Sequence, residues 1–141
     1  MIRHQTQTEH DALIKFAAEY LKERDFRNVM ADLAGYGAPQ KITCPASAGL
    51  PAACLPERQG EAGHIPDITA EYQHLNIFEV ETADSIDDAH TAEQWKLFAN
   101  YARDTNVRFW VVVPSGSVMS AHQRLKTLRL TADVWGIEIK N

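Results

Sequence analysis

Apolar residues recur at Leu13, Phe16, Ala17, Tyr20 and Leu21, a spacing that lines one side of a helix and predicts the first element over residues 8–24, with Thr8 as its N-cap. Beyond Asp25, the run from Phe26 to Leu33 predicts a strand of poor alternation. Residues 35–63 are rich in Gly, Pro, Ala and Ser, with prolines at 39, 45, 51 and 56, so regular structure is expected only around Lys41-Ile42-Thr43. An irregular segment of that length suggests a functional loop or disorder. Ile65 to Tyr72, opening near Pro66, and His74 to Glu81 read as two strands of a hairpin that turns at Gln73 and His74.

Ser85 or Asp88 can cap the next helix, which runs to about Asp104 and packs through Ala92, Trp95, Leu97, Phe98, Ala99 and Tyr101. The run Val107 to Val113 is too uniformly apolar for a surface strand, so it belongs at the centre of a sheet with both faces covered. Pro114 to Gly116 ends it, Ser117 to Thr131 forms a further helix, and Val134 to Ile139 a closing strand. The order is α, β, long loop, β, β, α, β, α, β, with no internal repeat. It predicts one α/β domain with helices packed on a mixed sheet. A chain of 141 residues with 45% hydrophobic content can bury such a core without staples.

Charge changes this picture in one region. The net charge is −5, yet residues 57–93 hold ten acids and one base, whereas residues 94–141 hold three acids and seven bases. The total argues against a protein that coats nucleic acid by bulk attraction. The split leaves a basic last helix, with His122, Arg124, Lys126 and Arg129, able to approach phosphates. No apolar run is long enough to cross a bilayer, and MIRHQTQTEHD has no apolar signal core, so a cytoplasmic protein with no membrane partner is expected. Cys44 and Cys54 are then expected to be thiols, and their ten-residue spacing with His64 lacks the close pairs of a structural zinc site.

Within the acidic block, Glu79 and Glu81 alternate on one strand and so share a face, while Asp67 on the neighbouring strand can meet Glu79. Carboxylates that converge without a cation repel and raise one another's pKa, and a hard divalent ion resolves the conflict. The segment Ile65-Pro66-Asp67-Ile68, followed by Ile77-Phe78-Glu79-Val80-Glu81, resembles the signature of the PD-(D/E)xK nuclease superfamily. That resemblance implies a single-domain restriction-endonuclease-like fold and a phosphodiesterase that uses Mg2+ or Mn2+ to cleave DNA. It also implies a metal site of Asp67, Glu79 and Glu81, with a homodimer or a partner protein supplying specificity. His90 and Gln94 on the following helix would be catalytic neighbours, able to bond a metal-bound water or a phosphate. The run Gln7 to Ile14 also resembles the first helix of archaeal Holliday-junction resolvases, which makes Glu9 a further candidate ligand.

The chain departs from the pattern where a lysine is expected and Glu81 stands. Glu81 is then a candidate ligand or general base, and Lys96 an alternative source of an ammonium group. The same departure fits a second reading, a non-catalytic interaction or regulatory module that kept the fold and lost the lysine.

Overall fold

The computed structural model describes residues 2–43 and 63–139. Most of the predicted irregular segment, with Cys44, Cys54 and the residues around Arg58, lies outside the described residues.

Helix α1 (Ile2–Glu23) opens six residues before the predicted start. Residues 2–8 contain neither Pro nor Gly, so Thr8 lies within the helix and not at its cap. Strand β1 (Arg27–Ala31) follows, then the short β2 (Ile42–Thr43) and β3 (Gly63–His64), which pair with each other. Their contact is so close that a Cβ on Gly63 would collide with the carbonyl of Ile42.

Strands β4 (Ile68–Tyr72) and β5 (His74–Val80) form the predicted hairpin, turned at Gln73 with φ of 66°. Helix α2 (Ala89–Asp104) is capped by Asp88, whose carboxylate accepts from the backbone N of His90. Strand β6 (Val107–Pro114) leads through a 3-10 turn at Ser115–Ser117 into α3 (Val118–Leu128), and β7 (Asp133–Ile137) ends the sheet. Helix α3 stops three residues short of the predicted Thr131, because Arg129 takes a left-handed conformation and closes it with bonds to Leu125 and Lys126.

The main sheet is mixed, in the order β1-β4-β5-β6-β7, with β1, β4 and β5 antiparallel and β5, β6 and β7 parallel. Alternation along the strands sorts the core into two layers. Ile68, Ala70, Phe78, Val80 and Val112 pack under Leu13, Ile14, Ala17, Ala18 and Leu21 of α1. Ile77, Phe109, Val111 and Val113 pack under Trp95 and Phe98 of α2 and Ala121 and Leu125 of α3. As expected, β6 is interior and covered on both faces. The expected α1 stripe is corrected: Phe16 and Tyr20 are exposed, 42% and 36%, while Ile14 and Ala18 are buried. Among the described residues no helix is long and apolar enough to cross a membrane.

Candidate functional site: a buried carboxylate cluster

The sheet brings Asp67, Glu79 and Glu81 together at the end of the β4–β5 hairpin opposite its turn. The register Ile68↔Phe78 leaves Asp67 level with Glu79, one step past the last ladder pair. Pro66 lacks an N–H and cannot extend the strand, so the predicted start at Ile65 moves to Ile68. Side chains take over the pairing there. The Asp67 backbone N donates to Glu79 Oε1 at 3.0 Å, and the Val80 backbone N donates to Asp67 Oδ2 at 2.7 Å. The backbone of the site is fixed on both sides, by Asp32 N donating to the Asp67 carbonyl at 2.8 Å and Glu81 N donating to the Val112 carbonyl at 2.9 Å.

All three acids are buried, Glu79 to 2% exposure. Burial raises the Glu79 carboxyl well above its ordinary range, and the charges of Asp67 and Glu81 together with a side-chain hydrogen bond to Asp67 push it the same way. Burial also lifts Glu81, to about 7; the Asp67 charge adds to the rise, while bonds from Ser85 and Trp95 and the nearby His10 oppose it.

Glu81 is held on both oxygens. Ser85 Oγ donates to Oε1 at 2.7 Å, Thr91 Oγ1 approaches the same atom at 3.4 Å, and Trp95 Nε1 donates to Oε2 at 3.3 Å. Ser85, a candidate helix cap in the sequence, therefore serves the site, and the cap falls to Asp88. From the opposite layer, His10 Nε2 lies 3.3 Å from Asp67 Oδ2. Burial disfavours charge on this imidazole, but the bond to Asp67 and the charges of Asp67, Glu81 and Asp11 outweigh it and raise the pKa to about 9.

Each flanking helix thus reaches the site through a residue adjacent to the one expected. Glu9 is exposed and His10 makes the contact; His90 is exposed and Gln94 only partly buried, while Thr91 and Trp95 meet Glu81. One residue is about 100° of helix, enough to turn a side chain from the sheet to its flank. The sequence does carry a signal for the right phase. His10 continues the Leu13, Ile14, Ala17 stripe by one turn, and Thr91 and Trp95 continue that of Phe98, so each site residue is a polar extension of an apolar face. Lys96 makes no ion pair among the described residues and does not reach the carboxylates.

The donor set is hard oxygen, which suits Mg2+ or Mn2+ bound by one or two carboxylates and completed by water. Asp67 and Glu79 fit that role. Glu81 accepts bonds on both oxygens from Ser85, Thr91 and Trp95, which leaves a further acceptor position on Oε2, and Glu9 is exposed. Among the described residues no group of three or more His, Cys, Asp or Glu side chains is placed so that it could hold a metal ion. No family model, curated protein or solved structure matches the chain.

Proposed function

We propose that this protein is a metal-dependent phosphodiesterase acting on DNA, of the PD-(D/E)xK type and restriction-endonuclease-like fold that its Pro66-Asp67 and Glu79-Val80-Glu81 segments resemble. The observation that carries the reading is the burial of three mutually repelling carboxylates, two of them locked together by reciprocal bonds to backbone N–H groups. Removing carboxylates from water beside one another is unfavourable unless a cation or protons neutralise them, and perturbed acids of this kind concentrate at functional sites. The strand that Asp67 immediately precedes pairs with the strand carrying Glu79, and a helix follows, a context that supports the resemblance.

In this reading Asp67 and Glu79 hold one Mg2+ or Mn2+. The bound ion would supply Lewis-acid stabilisation of charge on the phosphate and a more acidic water. Glu81, titrating near 7, is suited to take a proton from water at neutral pH, with Ser85, Thr91 and Trp95 fixing the plane of its carboxylate. His10 orients Asp67 from the other layer.

A second reading is favoured by one specific observation. Glu81, where the resemblance expects lysine, is bracketed by three donors, as a structural carboxylate would be, and this suits an interaction or regulatory module without catalysis. Purified protein incubated with supercoiled, single-stranded and branched DNA in Mg2+ or Mn2+ separates the two. Cleavage lost in Asp67→Asn supports the phosphodiesterase; absence of cleavage on every substrate supports the module.

A further inference from the structure

The face of the sheet that carries Glu79 also carries a cavity that the carboxylates do not use. Glu79, Ile77 and Leu75 alternate along β5, and the β4 residues directly opposite Ile77 and Leu75 are Thr69 and Glu71. Over Ile77 and Phe109 this face is covered by α2 and α3. Toward the β1 edge it forms instead the floor of a cavity of about 630 Å3, within the range of about 300–1,000 Å3 usual for small-molecule sites. Thr69 and Glu71 both line it, one and two strand steps of about 7 Å each from the level of Glu79.

The lining is chemically mixed. Met30 and Leu75 are apolar, Tyr101 of α2 supplies an aromatic ring, and Gln40 and Lys41 bring an amide and an ammonium group. The edge strand organises the polar wall. The β1 register slips between Arg27 and Met30, and within that bulge Asn28 takes a left-handed conformation with φ of 50°. Its amide N donates to Glu71 Oε2 at 2.7 Å. A bulge of this kind re-aims a side chain, and the bond orients the carboxylate while leaving it further acceptor capacity. Asn28, Gln40, Lys41 and Glu71 are all exposed, so a ligand meets them from solvent.

We propose that this cavity receives an unpaired nucleotide whose base carries an exocyclic amino group, so that the DNA acted on is single-stranded beside the carboxylates; the choice of polymer rests on the phosphodiesterase reading. An aromatic ring such as that of Tyr101 suits a base outside a duplex, and stacking of this kind tolerates every base. The acceptor at Glu71 discriminates: it takes a hydrogen bond from the amino group of cytosine and is repelled by the O4 of thymine. Lys41 suits the adjoining phosphate. A base inside a duplex is stacked on both faces, so duplex DNA does not fit.

The test is binding of short fluorescent oligo-dC and oligo-dT, and of a duplex of the same length, to the full chain in EDTA, where binding is read without a metal. Wild type is expected to bind dC about fivefold or more tighter than dT, the scale of one matched base contact, and to bind the duplex more weakly than either. Glu71→Gln, at an exposed position, should fold normally and erase the dC preference, because its amide can also donate to thymine O4. Tyr101→Ala should weaken dC and dT alike by about tenfold, with Tyr101→Phe close to wild type. Equal binding of dC and dT by wild type, a preference that survives Glu71→Gln, or a duplex bound at least as tightly as single strands would each overturn the pocket. Asp67→Asn should bind as wild type in EDTA, which keeps the two readings apart. The expected pattern in a protein that cleaves no DNA with Mg2+ or Mn2+ retires the phosphodiesterase and leaves the pocket, and cleavage lost in Asp67→Asn without the pattern does the reverse.

Discussion

Asn76 and Glu79 lie three residues apart on β5, both buried, and they solve burial in opposite ways. Asn76 is neutral and satisfied: its amide N donates to the His74 carbonyl at 3.0 Å and approaches that of Ala70 at 3.5 Å, and its oxygen accepts from Trp110 Nε1 at 3.2 Å. A polar group so paired costs little and fixes the register of β5 against β6. Glu79 has a hydrogen-bonding partner too, but it is surrounded by Asp67 and Glu81, and its carboxyl is driven toward protonation by burial and by their charge. Folding alone has no use for that conflict. The contrast separates a polar group whose bonds are met within the fold from acids that, without a cation, the fold keeps only by holding protons and by the His10 contact to Asp67.

The largest test of this contrast is catalytic. Asp67→Asn or Glu79→Gln should lower DNA cleavage by about two orders of magnitude or more, the scale of a lost positioned acid or base, while Asn76→Ala should leave cleavage by the folded fraction near wild type. Equal losses at all three positions would erase the distinction.

Next in size is the pH dependence of the metal-free protein. The folded pKa of Glu81 is raised from 4.5 to about 7 and that of His10 from 6.5 to about 9, and Glu79 is raised as well. Raised values mean that the folded state holds protons the unfolded chain has released. The Glu81 contribution is therefore complete below pH 4.5 and lost as pH rises through about 7, and the His10 contribution is complete below 6.5 and lost through about 9. Stability should fall by on the order of a few kcal/mol between about pH 5 and pH 9, since each tenfold difference in proton affinity between the folded and unfolded chain is worth about 1.4 kcal/mol. Urea midpoints at about pH 5, 7 and 9 measure it, and a midpoint that rises over this range would contradict the assigned signs.

Asn76→Ala should then cost about 1–3 kcal/mol, because it removes the partner of the partly buried Trp110 N–H and the buried amide's own bonds. Glu79→Gln, which keeps shape and removes charge, should leave the metal-free melting temperature unchanged or higher. The smallest effect sharpens the helix phase: His10→Ala should cost about 1–3 kcal/mol, against less than about 0.5 for the exposed Glu9→Ala. Thermal melts of the two variants side by side decide it.

Much of this architecture is legible in the chain. The uniform apolarity of Val107 to Val113 marks the interior strand, and the alternation of Glu79 and Glu81 marks the acidic face, because both patterns are local. The contributions of the helices are harder to read. Chemical suitability favours Glu9 over His10, and His90 and Gln94 over Thr91 and Trp95, but helical phase decides the contact, and phase is set by which stripe the sheet buries. The role of Ser85 depends on the turn between Glu81 and α2 folding back on itself, with Thr82 N donating to Ser85 Oγ at 3.0 Å, a tertiary detail that no periodicity encodes.

The central claim, that the carboxylates are held together for a divalent cation, is tested most directly by calorimetric titration of Mn2+ at about pH 6.5 in two buffers of different ionisation enthalpy. Ligating carboxyls must shed their protons, so wild type should bind one Mn2+ with net proton release, and Glu79→Gln should lose both the binding and the release. Absence of Mn2+ binding in wild type, or binding that persists unchanged in Glu79→Gln, would contradict the account.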